Sequence, residues 1–128
     1  PEYTGKLFFQ EPVEVNRNGN NVNLMCHLLP EEQMRKLGFT SHRPSTWFYI
    51  KDLGNDISFS VSINKENATD FRIDVIDEDF GQPYDYQAML VRDPEFRRAL
   101  NIKGLVENEM KRLQDAGVIS GHVYDQYI

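Results

Sequence analysis

A single cysteine, Cys26, excludes an internal disulfide and any cysteine-built metal site within one chain. The expected compartment is a reducing cytoplasm. Leu24 and Leu28 share the parity of Cys26 on a strand-like run, so a buried, inert thiol is expected rather than a reactive one. Long apolar runs are also missing. The longest, residues 47–50 and 88–91, span four residues each, against the roughly 20 that a membrane helix needs. No membrane span is expected, and no charged leader with an apolar stretch behind it precedes residue 10, so nothing reads as an export signal. His27, His42 and His122 form no HxH, HxxxH or HExxH pair, which leaves zinc without a motif. The eight glycines are dispersed singly, so there is no phosphate-cradling loop. No G-x-S-x-G elbow occurs, and Ser120-Gly121-His122 lacks a context that would activate the serine. Common hydrolases and nucleotide-binding enzymes are thereby disfavoured, and no cofactor is expected.

What is present is an ordinary globular composition: 40% hydrophobic and 27% charged residues, with eight Phe and six Tyr. A chain of 128 residues fits a single domain over 1–128 and buries roughly two-thirds of its unfolded surface, enough for a core without staples. The net charge of −6 is local. Acids and bases balance at 7 against 7 over residues 1–65 and at 5 against 5 over 94–128. Between them, Glu66, Asp70, Asp74, Asp77, Glu78, Asp79, Asp85 and Asp93 face only Arg72 and Arg92. A concentrated negative segment can capture a cation, meet a basic partner or simply remain solvated, and it repels nucleic acid.

Periodicity gives the elements. Ile57, Phe59, Val61 and Ile63 alternate with Ser58, Ser60 and Ser62, the period of a strand with one buried and one wet face. Residues 47–50 are aromatic and strand-prone, and Gly54-Asn55-Asp56 suits the tight hairpin between the two. A turn over 65–69 leads into Phe71, Ile73 and Val75, completing a three-stranded meander. Upstream, Val13 and Val15 flank Asn18-Gly19 with Val22, Leu24, Cys26 and Leu28, which predicts a second hairpin, with residues 6–10 as an extra strand. Pro30 opens a helix of about two turns, acidic at its start, basic at its end and stopped by Gly38. Ala99, Ile102, Val106, Met110, Leu113 and Ala116 then recur at three or four residues, a helix expected to start at Asp93-Pro94, to stop at Gly117 and to be kinked or broken at Gly104. Val123, Tyr124, Tyr127 and Ile128 make the tail too apolar for a loose end.

Two segments offer chemistry. Asp74, Asp77 and Asp79 end a strand where carboxylates could converge on a hard cation, although no EF-hand register fits: Gly81 falls at position 5 and Ala88 replaces the final Glu. Residues 80–86 mix aromatics with Gly and Pro, a composition for a shaped loop that presents Tyr84 and Tyr86 beside carboxylates. The structural alternative packs both rings over the sheet edge. Likewise, Trp47 and Tyr49 fall on one strand face and Phe48 and Ile50 on the other, with a core role the default.

Residues 47–50, 71–75, 82–86 and 115–119 (WFYI, FRIDV, QPYDY and DAGVI) resemble small uncharacterised accessory proteins of Gram-positive phage and conjugative elements. That resemblance implies a cytoplasmic, auxiliary role and assigns no functional residue. The expected architecture is α+β: an antiparallel sheet of about five strands, a long C-terminal helix across one face and a short helix between two strand groups. The leading functional expectation is a non-enzymatic binding protein that engages a basic protein partner through Asp74, Asp77, Glu78, Asp79, Tyr84, Asp85 and Tyr86, without direct nucleic-acid or membrane contact. The alternatives are a metal-dependent hydrolase using Asp74, Asp77 and Asp79, an inhibitor that mimics nucleic acid, and a homo-oligomer joined at an open sheet edge.

Overall fold

The computed structural model describes residues 24–42 and 44–122. The predicted strand at 6–10, the first arm and turn of the upstream hairpin (Val13 to Val22) and the apolar tail from Val123 lie outside the described residues. In chain order the elements are β1 (Met25–Cys26), α1 (Glu31–Lys36), β2 (Thr40–His42), β3 (Thr46–Gly54), β4 (Ile57–Asn64), β5 (Asn67–Asp77), β6 (Gln82–Pro83), α2 (Tyr86–Arg92), α3 (Arg97–Ala116) and β7 (Ile119–Ser120). The main sheet is antiparallel with order β2-β3-β4-β5-β6, and β1 pairs with β7 in a separate two-stranded ribbon. The α+β reading therefore holds with its five strands, its long helix and its short helix.

The membership of the sheet differs from expectation. The meander forms its centre, but its flanks are the short strands β2 and β6, while Met25–Cys26 pairs with Ile119–Ser120. Leu24 and Cys26 are buried as their parity demanded, whereas Leu28 is exposed because the chain leaves the ribbon after His27, whose N–H reaches the Val118 carbonyl at 2.8 Å. Burial pushes the Cys26 thiol up to about 12, so it stays protonated and unreactive.

Strand β4 lies at the middle of the sheet, and Ile57, Phe59, Val61 and Ile63 are fully buried beneath α3. The stripe of α3 that meets them is Ala99, Ile102, Val106, Met110 and Leu113. Helix α3 passes unbroken through Gly104, which faces open solvent; a glycine there costs about 1 kcal/mol in helix propensity, too little to end a packed helix. Gly117 closes it in the left-handed conformation at φ 95°.

Helix α3 starts later than expected because a separate helix precedes it. The Asp85 carboxylate accepts the Ala88 N–H at 3.0 Å and caps α2, whose inner side is Tyr86, Gln87 and Leu90. Pro94 disfavours helical geometry at Asp93, which is extended (φ −142°, ψ 90°), and α2 stops there. Asp93 then holds the linking turn, its carboxylate taking the Glu95 N–H and its carbonyl the Phe96 N–H.

Tyr49 ties three layers together. Its hydroxyl donates to Glu109 of α3 at 2.6 Å, Arg112 pairs with the same carboxylate at 3.2 Å and lies over the Tyr49 ring, and Arg112 also donates to the Leu37 carbonyl behind α1. Burial, reinforced by Glu109, pushes the Tyr49 phenol up to about 12, so the donor is retained through the physiological range. Gly38 sits against this ring at φ +106°, where an added Cβ would lie 3.0 Å from Tyr49 Cε1. Among the described residues no helix is long and apolar enough to cross a membrane.

Two stability predictions follow from the Tyr49 junction. Gly38→Ala should cost about 1–3 kcal/mol, because it combines backbone strain with a ring that its hydrogen bond holds in place. Tyr49→Phe should cost about 1–2 kcal/mol, the smaller loss, since Glu109 keeps Arg112. Urea midpoints at neutral pH check both.

Candidate functional site

The acidic run does not form one surface. Glu66 and Asp70 lie at the β4–β5 end of the sheet, where Asp70 accepts from Asn64 at 3.2 Å. Asp85 caps α2 and Asp93 holds the turn behind it. Asp74 is buried on the outer face of β5, in register with Ser60 and Ile50, and pairs with Arg72 at 3.2 Å.

The expected surface over 74–86 is corrected accordingly. Tyr84 and Tyr86 are buried, at 5% and 1% exposure, so neither is presented to a partner. The reason is strand pairing. The Tyr84 N–H bonds to the Val75 carbonyl at 2.9 Å, which extends β6 along β5 and directs the ring to the helix side, where Arg98 lies 5.4 Å from its centroid. Tyr86 is the first residue of α2 and belongs to its core side. The structural alternative for both rings is the one that applies.

Asp77, Glu78 and Asp79 remain, and they meet two acids from the balanced half of the chain. The β3–β4 turn packs beside the β5–β6 turn, with the Glu78 N–H bonded to the Asp56 carbonyl at 2.7 Å. Asn55 and Asp56 adopt left-handed conformations at φ 55° and 62°, the hairpin geometry their residue types tolerate. A register shift near Leu53 lets that side chain enter the core while Asp52 stays on the face of Ile50. Five carboxylates, Asp52, Asp56, Asp77, Glu78 and Asp79, thus gather at one end of the sheet. Asp52 and Asp56 escaped the sequence reading because they lie outside the charge surplus. The pairing of Ile57 with Asp77 is the signal that places them there.

Several of these side chains are already held. Asp52 accepts the Gly54 N–H at 2.8 Å, Asp77 accepts the Asp79 N–H at 3.0 Å, and Ser58 donates to Glu78. Two openings flank the hairpin tip. A groove of about 510 Å³ on the outer face is lined by Ile50, Asp52, Asp56, Ile57, Ser58 and Glu78. A cavity of about 570 Å³ on the helix side brings Asp56 and Asp79 together with Arg97, Arg98 and Asn101. Arg98 donates to the Asn55 carbonyl at 3.2 Å.

Asp74, Asp77 and Asp79 do not converge. Asp74 and Asp77 have opposite parity on β5 and leave opposite faces, and among the described residues no trio of carboxylate, imidazole or thiol groups could hold one ion. His27 bonds to Ser120 at 2.9 Å and buried His122 to Glu107 at 2.8 Å, so both have structural partners.

Burial raises the Asp74 carboxyl above its ordinary range, while Arg72 pulls it the other way. A carboxyl that holds its proton more tightly in the folded chain than in the unfolded one makes folding less favourable as pH climbs from the ordinary carboxylate range through the raised value. Asp74→Asn should therefore raise the urea midpoint at neutral pH, with an advantage that shrinks towards zero as pH falls below that window. A pH series of denaturation curves checks the sign.

No protein-family model matches this chain. No curated protein matches it either. Among solved structures it is similar to a DUF1831 family protein from Lactobacillus plantarum, with a TM-score of 0.57 and 9% identity over 75% of this chain and 82% of that one. At that identity the likeness shows a shared fold.

Proposed function

We propose that this chain is a non-enzymatic binding protein that engages a basic protein partner through the carboxylate-bearing end of its sheet, residues Asp52, Asp56, Asp77, Glu78 and Asp79. The observation that carries this reading is the meeting of two sequence-distant turns, which sums charge that neither turn has alone. Glu78 and Asp79 are exposed, as are Asp52 and Asp56, and Phe80 beside them is 74% exposed. Carboxylates rimmed by accessible apolar side chains suit a protein surface better than a point ion. Of the residues expected at the contact, Asp77, Glu78 and Asp79 stay in the proposal; Tyr84 and Tyr86 are buried, Asp74 pairs with Arg72 and Asp85 caps α2. A cytoplasmic setting and an auxiliary role in a phage or conjugative element fit the lone thiol and the sequence resemblance.

A field of this kind speeds association by about 10–10³-fold at low salt and fades as the screening length shortens from about 10 Å at 0.1 M. The test is capture from a native-host lysate on the immobilised chain at about 50 and 300 mM salt. A partner held at low salt should be lost when Asp56→Asn, Glu78→Gln and Asp79→Asn are combined. It should survive the equally discharged control Glu32→Gln, Glu66→Gln and Asp70→Asn. Equal retention by the two triple variants would overturn the proposal.

A further inference from the structure

Helix α3 has two flanks beside its buried stripe, and the chain that leaves it returns along one of them. With 3.6 residues per turn, Phe96, Leu100, Glu107 and Gln114 fall on a single flank, and Leu105 falls on the opposite one. Gly117 reverses the chain, after which its contacts step back towards the start of the helix. The Val118 N–H bonds to the Leu113 carbonyl at 3.0 Å, and the Gln114 side chain holds the His122 N–H and carbonyl at 2.9 and 3.2 Å. The His122 ring then reaches Glu107, two turns further back, at 2.8 Å. His122 is therefore fixed to this flank, with its buried ring on the helix side. Beyond it the flank offers exposed apolar side chains, Leu100 at 41% and Phe96 at 39%, with Val91 at 56% in the last turn of α2.

Val123, Tyr124, Asp125, Gln126, Tyr127 and Ile128 follow His122 in the sequence. Six extended residues span about 20 Å, and the axial distance from Gln114 back to Leu100 is about 21 Å. In an extended segment Tyr124 and Ile128 have the parity of His122, which puts them on the side its ring takes. We propose that residues 123–128 form a strap that lies back along α3 and sets Ile128 on Leu100 and Phe96, closing a flank that the described residues leave exposed. Removal of apolar surface from water on both sides drives the closure. Tethering selects this occupant over a second copy or a foreign chain. The hydrogen bonds at His122 deliver the segment to the near end of the flank, where its effective concentration is about millimolar.

The experiment is disulfide trapping in the full chain. Leu100→Cys with Ile128→Cys, oxidised by glutathione disulfide, should close within one molecule about tenfold faster than Leu105→Cys with Ile128→Cys, whose first cysteine is on the opposite flank. Cys26 is buried and protonated, so it stays out of the exchange. Methyl NOEs between Leu100 and Ile128 in the unsubstituted chain should report the same contact. Equal trapping of the two pairs, cross-links formed only between molecules, or absence of those NOEs would overturn the strap.

Discussion

Strand β4 has only one register in which its apolar side chains are buried. Ile57, Phe59, Val61 and Ile63 are at zero exposure under α3, and Ser58, Ser60 and Ser62 point the other way. A slip by one residue would turn three serines into the core and four large apolar groups out of it. Because β3 and β5 are both hydrogen-bonded to this strand, its register also fixes theirs. Ile57 then lies opposite Asp77, the two turns meet, and the carboxylates of residues 52–56 come beside those of 77–79. The acidic end is therefore a by-product of how the core packs.

Helix α3 is held to that sheet by more than burial. The hydroxyl of Tyr49, the carboxylate of Glu109 and the guanidinium of Arg112 form a chain that ends on the carbonyl of Leu37, so sheet, long helix and short helix share one polar junction. At the other end of α3, Arg98 covers the Tyr84 ring and reaches the hairpin tip through Asn55. These contacts keep Arg98 on the helix side of the tip, where it and Arg97 offset Asp56 and Asp79. The outer groove keeps its negative character because the arginines are on the helix side.

Much of the architecture was legible from spacing alone. The meander, the turn residues Asn55 and Asp56, the short helix with Gly38 just beyond its end and the stripe of α3 all follow from local rules, since each depends on residues within one or two turns of one another. Helix α2 was hidden for a different reason. Its seven residues are too few to display a period, and Tyr86 doubled as a plausible surface aromatic. Asp85 as an N-cap, followed by the i, i+4 pair Tyr86 and Leu90, was the available sign.

The candidate site is less legible, because residues close in sequence here are not close in space. Residues 74–86 carry the charge surplus, yet period-two alternation sends Asp74 and Asp77 to opposite faces, and pairing with Val75 draws Tyr84 inward. By itself the sequence determined the α+β class, the central meander and the sign of the charge, since composition and short-range periodicity are properties of the chain before it folds. Only the tertiary structure decided which carboxylates act together, because that depends on two distant turns being brought side by side, and on which of them each arginine reaches.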